Sequence, residues 1–176
     1  MKKYFNLFIF ILIICLCFCG CSNYKKDNFK CYIFPSEKII SKMTDDDIVR
    51  LAQNEGRVAF NGSDIECYCW SDHILRLNED SVFGNGNKLA SGCDVLKASD
   101  SDAFAFILNG KLLYYGGFRN EIGTASSFLS IYIQDADNNT VNIKYDEKYS
   151  PSDNRQNKTF YKFLEKNSLL VDQIKF

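Results

Sequence analysis

The apolar positions of this 176-residue chain fall into blocks with different periods. Phe5 to Phe18 is an almost unbroken apolar run behind Lys2 and Lys3. Ile48, Leu51 and Ala52 recur at helical spacing after Thr44-Asp45-Asp46-Asp47, and this predicts an amphipathic helix with Thr44 as N-cap and Gly56 at its end. The three aspartates suit the positive end of such a helix. Cys31 to Phe34 reads as a short strand or an extended lead-in. In Asp64 to Trp70, the set Ile65, Cys67, Cys69 alternates with Glu66, Tyr68, Trp70, the period of a strand. A turn at Ser71-Asp72 follows, and His73 to Leu77 returns as a second run.

The strongest pattern is Ala103 to Gly117, two apolar runs joined by Asn109-Gly110. A type I′ turn needs positive φ at both central residues, and Asn-Gly supplies it with least strain. The turn sets a register in which Leu108 faces Lys111, Ile107 faces Leu112, Phe106 faces Leu113, Ala105 faces Tyr114 and Phe104 faces Tyr115. One face then carries Phe104, Phe106, Leu113 and Tyr115. The other carries Ala103, Ala105, Ile107, Leu112 and Tyr114, small enough in part for a helix to approach. With both faces apolar, this hairpin is expected in the middle of a sheet. Gly116 to Ser127 reads as irregular. Phe128 to Gln134, with Leu129, Ile131 and Ile133 on one face, and Thr140 to Tyr145, with Val141, Ile143 and Tyr145 on one face, form a second, one-sided hairpin. Phe160, Phe163 and Leu164 predict a second amphipathic helix, and Leu169 to Val171 a closing strand. The sum is one α+β domain, an antiparallel β-sheet built from hairpins with about two packed helices.

Composition narrows the class. Hydrophobic residues make up 46% of the chain and aromatics 15%, too much for a disordered protein. Residues 1–20 contain two lysines and no acid, so the remainder has a net charge near −3. That balance argues against a nucleic-acid partner, which requires a clustered basic face.

The segment Phe18-Cys19-Gly20-Cys21 resembles the lipobox of bacterial lipoproteins, in which a small residue precedes a cysteine. The resemblance covers only residues 1–21. It differs from the usual pattern at Phe18, where leucine is common, and at Cys19, where a smaller residue is common. It implies a signal peptide over 1–20, diacylglycerol on Cys21, a polar tether over 21–29 and a single domain over 30–176. It also implies an envelope location, extracytoplasmic and anchored to the membrane through Cys21. Ser22 after the cysteine fits release to the outer membrane in a diderm cell. The partner would be an envelope protein or a small ligand, and no cofactor is implied.

Cys31, Cys67, Cys69 and Cys93 remain once the signal segment and Cys21 are set aside. Four cysteines in an exported domain point to two disulfides. Cys67 and Cys69 share a strand face and are badly placed to bond each other, so each should reach Cys31 or Cys93. A rival arrangement is a zinc site from Cys67, Cys69, His73 and Cys93. His73 is the only histidine. Beside Asp72 at a strand start, it reads as a turn or surface residue. No nucleophile motif surrounds it or Ser126-Ser127, so no catalytic residue is assigned, and a non-catalytic binding protein is favoured over a metal-binding or enzymatic domain centred on Cys67, Cys69 and His73 and over a structural envelope-assembly lipoprotein. Asp135-x-Asp137-x-Asn139 opens like a calcium loop, but Thr140 stands where glycine is needed, and an Asn/Asp-rich turn explains the same residues. Tyr114, Tyr115, Phe118 and Arg119 are the candidate binding surface, because aromatic and arginine side chains anchor many interfaces.

Overall fold

The computed structural model describes residues 26–78, 96, 98–99, 101–119, 129–134 and 139–174. Cys21 and the lipobox-like segment, the stretch 79–95 with Cys93, and Asp135 to Asn138 lie outside them. The fold is mixed α+β, as the patterning implies. In chain order it contains β1 (Phe29–Pro35), α1 (Asp45–Glu55), β2 (Arg57–Asn61), β3 (Ile65–Cys69), β4 (Ile74–Leu77), β5 (Asp102–Leu108), β6 (Lys111–Arg119), β7 (Ile131–Gln134), β8 (Thr140–Tyr145), α2 (Lys158–Lys166) and β9 (Leu170–Val171). The nine strands of the described residues join one sheet in the order β2-β1-β5-β6-β7-β8-β4-β3-β9. The ladders are antiparallel except at β6–β7 and β3–β9, which are parallel.

The sheet curls around α2. Phe60 from one end of the strand order and Ile65 and Tyr68 from near the other share a single core cluster with Phe160, Phe163 and Leu164 of that helix. Phe29 anchors it, its ring 5.2 Å from that of Phe106, 5.5 Å from Phe160 and 5.2 Å from Phe163. Helix α2 starts where its cap allows. Asn157 Oδ1 accepts from the N–H groups of Thr159 and Phe160, two donors the helix itself leaves free.

Helix α1 covers the opposite face. Its buried Ile48, Val49 and Ala52 pack with Phe34, Ala103, Ala105 and Ile107, so the two alanines do make room for a helix. Thr44 forms a capping box with Asp47. Its backbone N–H and hydroxyl both donate to the Asp47 carboxylate, which with help from Arg50 is held down to about 2. The aspartates at this end therefore serve the helix.

The central hairpin turns as expected, with φ of 53° at Asn109 and 74° at Gly110. Its register holds for Leu108–Lys111 and Ile107–Leu112 and then shifts. Phe106 faces Tyr114, Ala105 faces Tyr115 and Phe104 faces Gly116, because β6 carries a bulge with one extra residue. The consequence is an exchange of faces. Tyr114 enters the inner core with Phe104 and Phe106, and Tyr115 packs on the α1 side. A second bulge, in β3 between Ile65 and Cys67, puts Ile65 in the inner core with Tyr68, apart from Cys67 and Cys69. Gly116 to Arg119, expected to be irregular, continues β6 and pairs with β7. Strand β1 is a central strand, flanked by β2 and β5. The fold reaches back to a 3-10 turn at Lys26–Asn28, inside the expected tether, and Asn28 Nδ2 donates to Asn109 Oδ1 at 2.6 Å.

Candidate functional site

Strand β6 pairs with β5 from Lys111 to Gly117, but β7 takes up its other edge only at Gly117. Gly116 permits that junction, since a Cβ there would stand 2.3 Å from the Ile131 carbonyl oxygen. Ahead of the junction the sheet splits, and the split is a cleft of about 540 Å³. That volume lies in the range of small-molecule sites. Leu113, Tyr114 and Tyr115 line its strand side, Leu129 to Ile131 the β7 side, and Tyr149, Ser150, Asp153, Asn154, Gln156 and Asn157 the side leading to α2. Asp45 stands at the edge, near enough to Tyr115 to add to the effect of burial in raising the phenol's pKa.

Asn157 crosses the split. While its Oδ1 caps α2, its Nδ2 donates to the Leu113 carbonyl at 2.9 Å. This stitch separates the cleft from a second one of about 470 Å³ between Leu108 and Leu113. It also occupies the backbone acceptor that an added β-strand would use, so the open edge of β6 is closed to strand addition at its middle.

Behind the cleft runs a buried polar chain. His73 sits at the β3–β4 turn with φ 55° and only 3% exposure. Its Nδ1 is 2.9 Å from Tyr68 Oη, and its Nε2 is 3.1 Å from Gln156 Nε2. The amide nitrogen of Gln156 can only donate, so the imidazole accepts at Nε2, carries its proton on Nδ1 and from there donates a hydrogen bond to Tyr68 Oη. The buried hydroxyl of Tyr114 lies close enough to that of Tyr68 for the two phenols to influence each other. Gln156 lines the cleft, and with its nitrogen held by His73 its Oε1 is left for whatever enters. The segment is braced from below. Asp153 takes three hydrogen bonds from the Arg155 side chain, at 2.9, 3.1 and 2.6 Å, and Arg155 Nη1 donates to the Ile143 carbonyl. Burial works against the Asp153 carboxylate, yet these bonds outweigh it and hold it below the usual carboxylate range.

Burial, then the charge of Arg155, lower the His73 pKa from 6.5 to about 4, against the opposing pull of Asp153 and Asp72. This corrects the surface reading of His73 and makes a pH prediction. Above pH 6.5 the imidazole is neutral in both folded and unfolded chains, and its contribution to stability is intact. As pH falls from 6.5 towards 4, the unfolded chain takes the proton first and that contribution is lost, by an amount on the order of 1–3 kcal/mol after allowance for water at the cleft. Urea unfolding at pH 7 and pH 4.5 should show the loss in the native protein and a smaller one in His73→Asn. Equal losses in both would remove His73 as the cause.

The other expected residues are spread out. Of the proposed binding surface, Tyr114 and Tyr115 line the cleft, Phe118 is fully buried core, and Arg119 is a brace. Arg119 Nη1 bonds Asp146 at 3.0 Å, its Nη2 bonds the Leu129 carbonyl at 3.1 Å, and its guanidinium lies 3.8 Å from the Tyr132 ring centre. Cys31, Cys67 and Cys69 are free thiols. Cys31 is in the inner core, where burial pushes its thiol far up. Cys69 Sγ meets Asp72 Oδ2 at 3.3 Å and the Asp172 carbonyl at 3.2 Å. Both ring nitrogens of His73 are engaged elsewhere, and no group of three or more metal-ligating side chains comes together among the described residues. Asn139, the described end of the calcium-like turn, is buried and donates to the Leu77 carbonyl. Nothing in the sequence singled out Gln156, Asp153 or Asn157. The short polar run Pro151 to Asn157 before an amphipathic helix is the one signal that marks them.

Compared with family models, curated proteins and solved structures, the chain matches none, so fold and site stand on their own geometry.

Proposed function

We propose that this chain is a lipid-anchored, extracytoplasmic binding protein of the bacterial envelope, held at the membrane through Cys21, that takes a small polar ligand in the cleft beside β6. The lipobox-like residues 18–21 support the anchor. The cleft carries the binding reading, because its lining is kept in place by structure behind it. Asn157 is pinned by three hydrogen bonds and Gln156 by His73. Rotamers fixed in advance spare the ordering cost that a binding event otherwise meets. His73 fits a positioning role better than a catalytic one, being buried, neutral at ordinary pH and bonded at both nitrogens.

Two measurements test the reading. Cells fed labelled palmitate should label the native protein, and Cys21→Ala should lose the label and leave the membrane fraction. A Cys21→Ala protein that stays membrane-bound with Met1 intact would end the anchor proposal. For the cleft, fractions of envelope extract are titrated into the isotope-labelled protein. Shifts grouped at Tyr115, Ser130 and Gln156 support the site, and shifts grouped on any other face overturn it.

A further inference from the structure

The chemistry of the cleft lining narrows the ligand. It contains no lysine, arginine or histidine among the described residues. An anionic ligand would find no cation in the lining itself, since Arg155 is paired with Asp153 and Arg119 and Lys148 lie over the Tyr149 ring, and its phosphate or carboxylate groups would meet the unpaired Asp45. A strongly cationic ligand is also poorly served. Asp153 is already neutralised by Arg155, which leaves Asp45 as the one carboxylate of the lining without a cationic partner. What remains is a set of uncharged hydrogen-bonding tips and aromatic surface. Gln156 offers Oε1, its orientation fixed by His73. Asn154 and Ser130 add an amide and a hydroxyl that make no other side-chain bond. Tyr115 adds a ring with a polar end; the Tyr149 ring, 36% exposed, already carries Arg119 and Lys148 at 5.3 and 5.4 Å from its centre.

A ligand matching this set is rich in hydroxyl donors, carries no charge and has C–H faces for the rings to cover. We infer that the cleft between β6, β7 and the segment before α2 binds a neutral saccharide. The inference deepens the binding reading above and rests on it. An extended peptide is the less fitting occupant, because Asn157 already takes the Leu113 carbonyl that a peptide strand would pair with.

The test is a titration of the intact protein with four probes: cellohexaose, chitohexaose, spermidine and inorganic phosphate, read by calorimetry and by chemical shifts. Saturable binding of one of the two oligosaccharides, with shifts at Tyr115 and Gln156, is expected. Gln156→Ala and Tyr115→Ala should each weaken it by about tenfold or more. His73→Asn should weaken it as well, while Tyr161→Ala, on the outer side of α2, should not. Spermidine or phosphate binding with shifts at the same residues would overturn the saccharide inference and keep the cleft as a binding site. Shifts at Tyr115 and Gln156 from none of the probes, together with none from the envelope fractions, would overturn both.

Discussion

Phe160→Ala is expected to be the most damaging single truncation in this protein, with a loss of about 3–5 kcal/mol. The Phe160 ring is fully buried and lies within 6.4 Å, centre to centre, of Phe29, Tyr68, Trp70, Phe106, Tyr114 and Phe163. Those six partners come from β1, β3, the turn after it, β5, β6 and α2 itself. One side chain thus fills the axis around which the sheet curls. The neighbours have little freedom to collapse into the space, because Phe29, Tyr68 and Phe106 belong to strands held by ladders on either side. A loss of that size is a large part of the whole stability of an ordinary domain. Tyr161→Ala, one residue along, removes an outward ring that is 37% exposed and touches Trp70 at 4.9 Å, and should cost under about 1 kcal/mol. Denaturant unfolding of the pair is the check. Equal losses would mean that the aromatic axis is not what holds the sheet closed.

Gly116→Ala is the second large effect, and its cause differs. The added Cβ would stand 2.3 Å from the Ile131 carbonyl oxygen and 2.7 Å from a Phe104 ring carbon. Backbone and a packed ring are both slow to yield. The parallel pairing of β6 with β7 spans only Gly117 to Arg119, so there is little ladder to resist separation. A loss of about 3 kcal/mol is expected, with a wider cleft in whatever fraction stays folded. Gly110→Ala provides the contrast. Nothing lies within 4 Å of its Cβ position, but its φ is +74°, so its cost is conformational and closer to about 1 kcal/mol. If Gly110→Ala proved the worse of the two, the tight β6–β7 junction would not be the limiting contact.

The sequence is legible wherever structure depends on neighbours along the chain. Asn109-Gly110 names its own turn, Thr44 and Asp47 name their own cap, and Phe160, Phe163 and Leu164 mark a helix face by spacing alone. Legibility ends at the two bulges. One extra residue in β6 is invisible to an alternation rule, and it moves Tyr114 and Tyr115 to faces opposite those the rule assigns. Leu129 shows the same limit from another cause. It precedes β7 and packs on the α1 side, whereas Ile131 and Ile133 enter the inner core. The candidate site is the least legible part. Gln156 meets His73 across 83 residues, and Asn157 meets Leu113 across 44. A lone histidine next to an aspartate gives no hint that Tyr68 and Gln156 will bury it, because burial there is decided by how the sheet curls.

Helix α2 occupies residues 158–166, and β9 locks onto β3 directly after it. The sheet therefore has nothing to close around until the strands that precede α2 in the chain have been made. Strands made early wait as exposed aromatic edges, so the core closes, and resistance to proteases is gained, in a single late step.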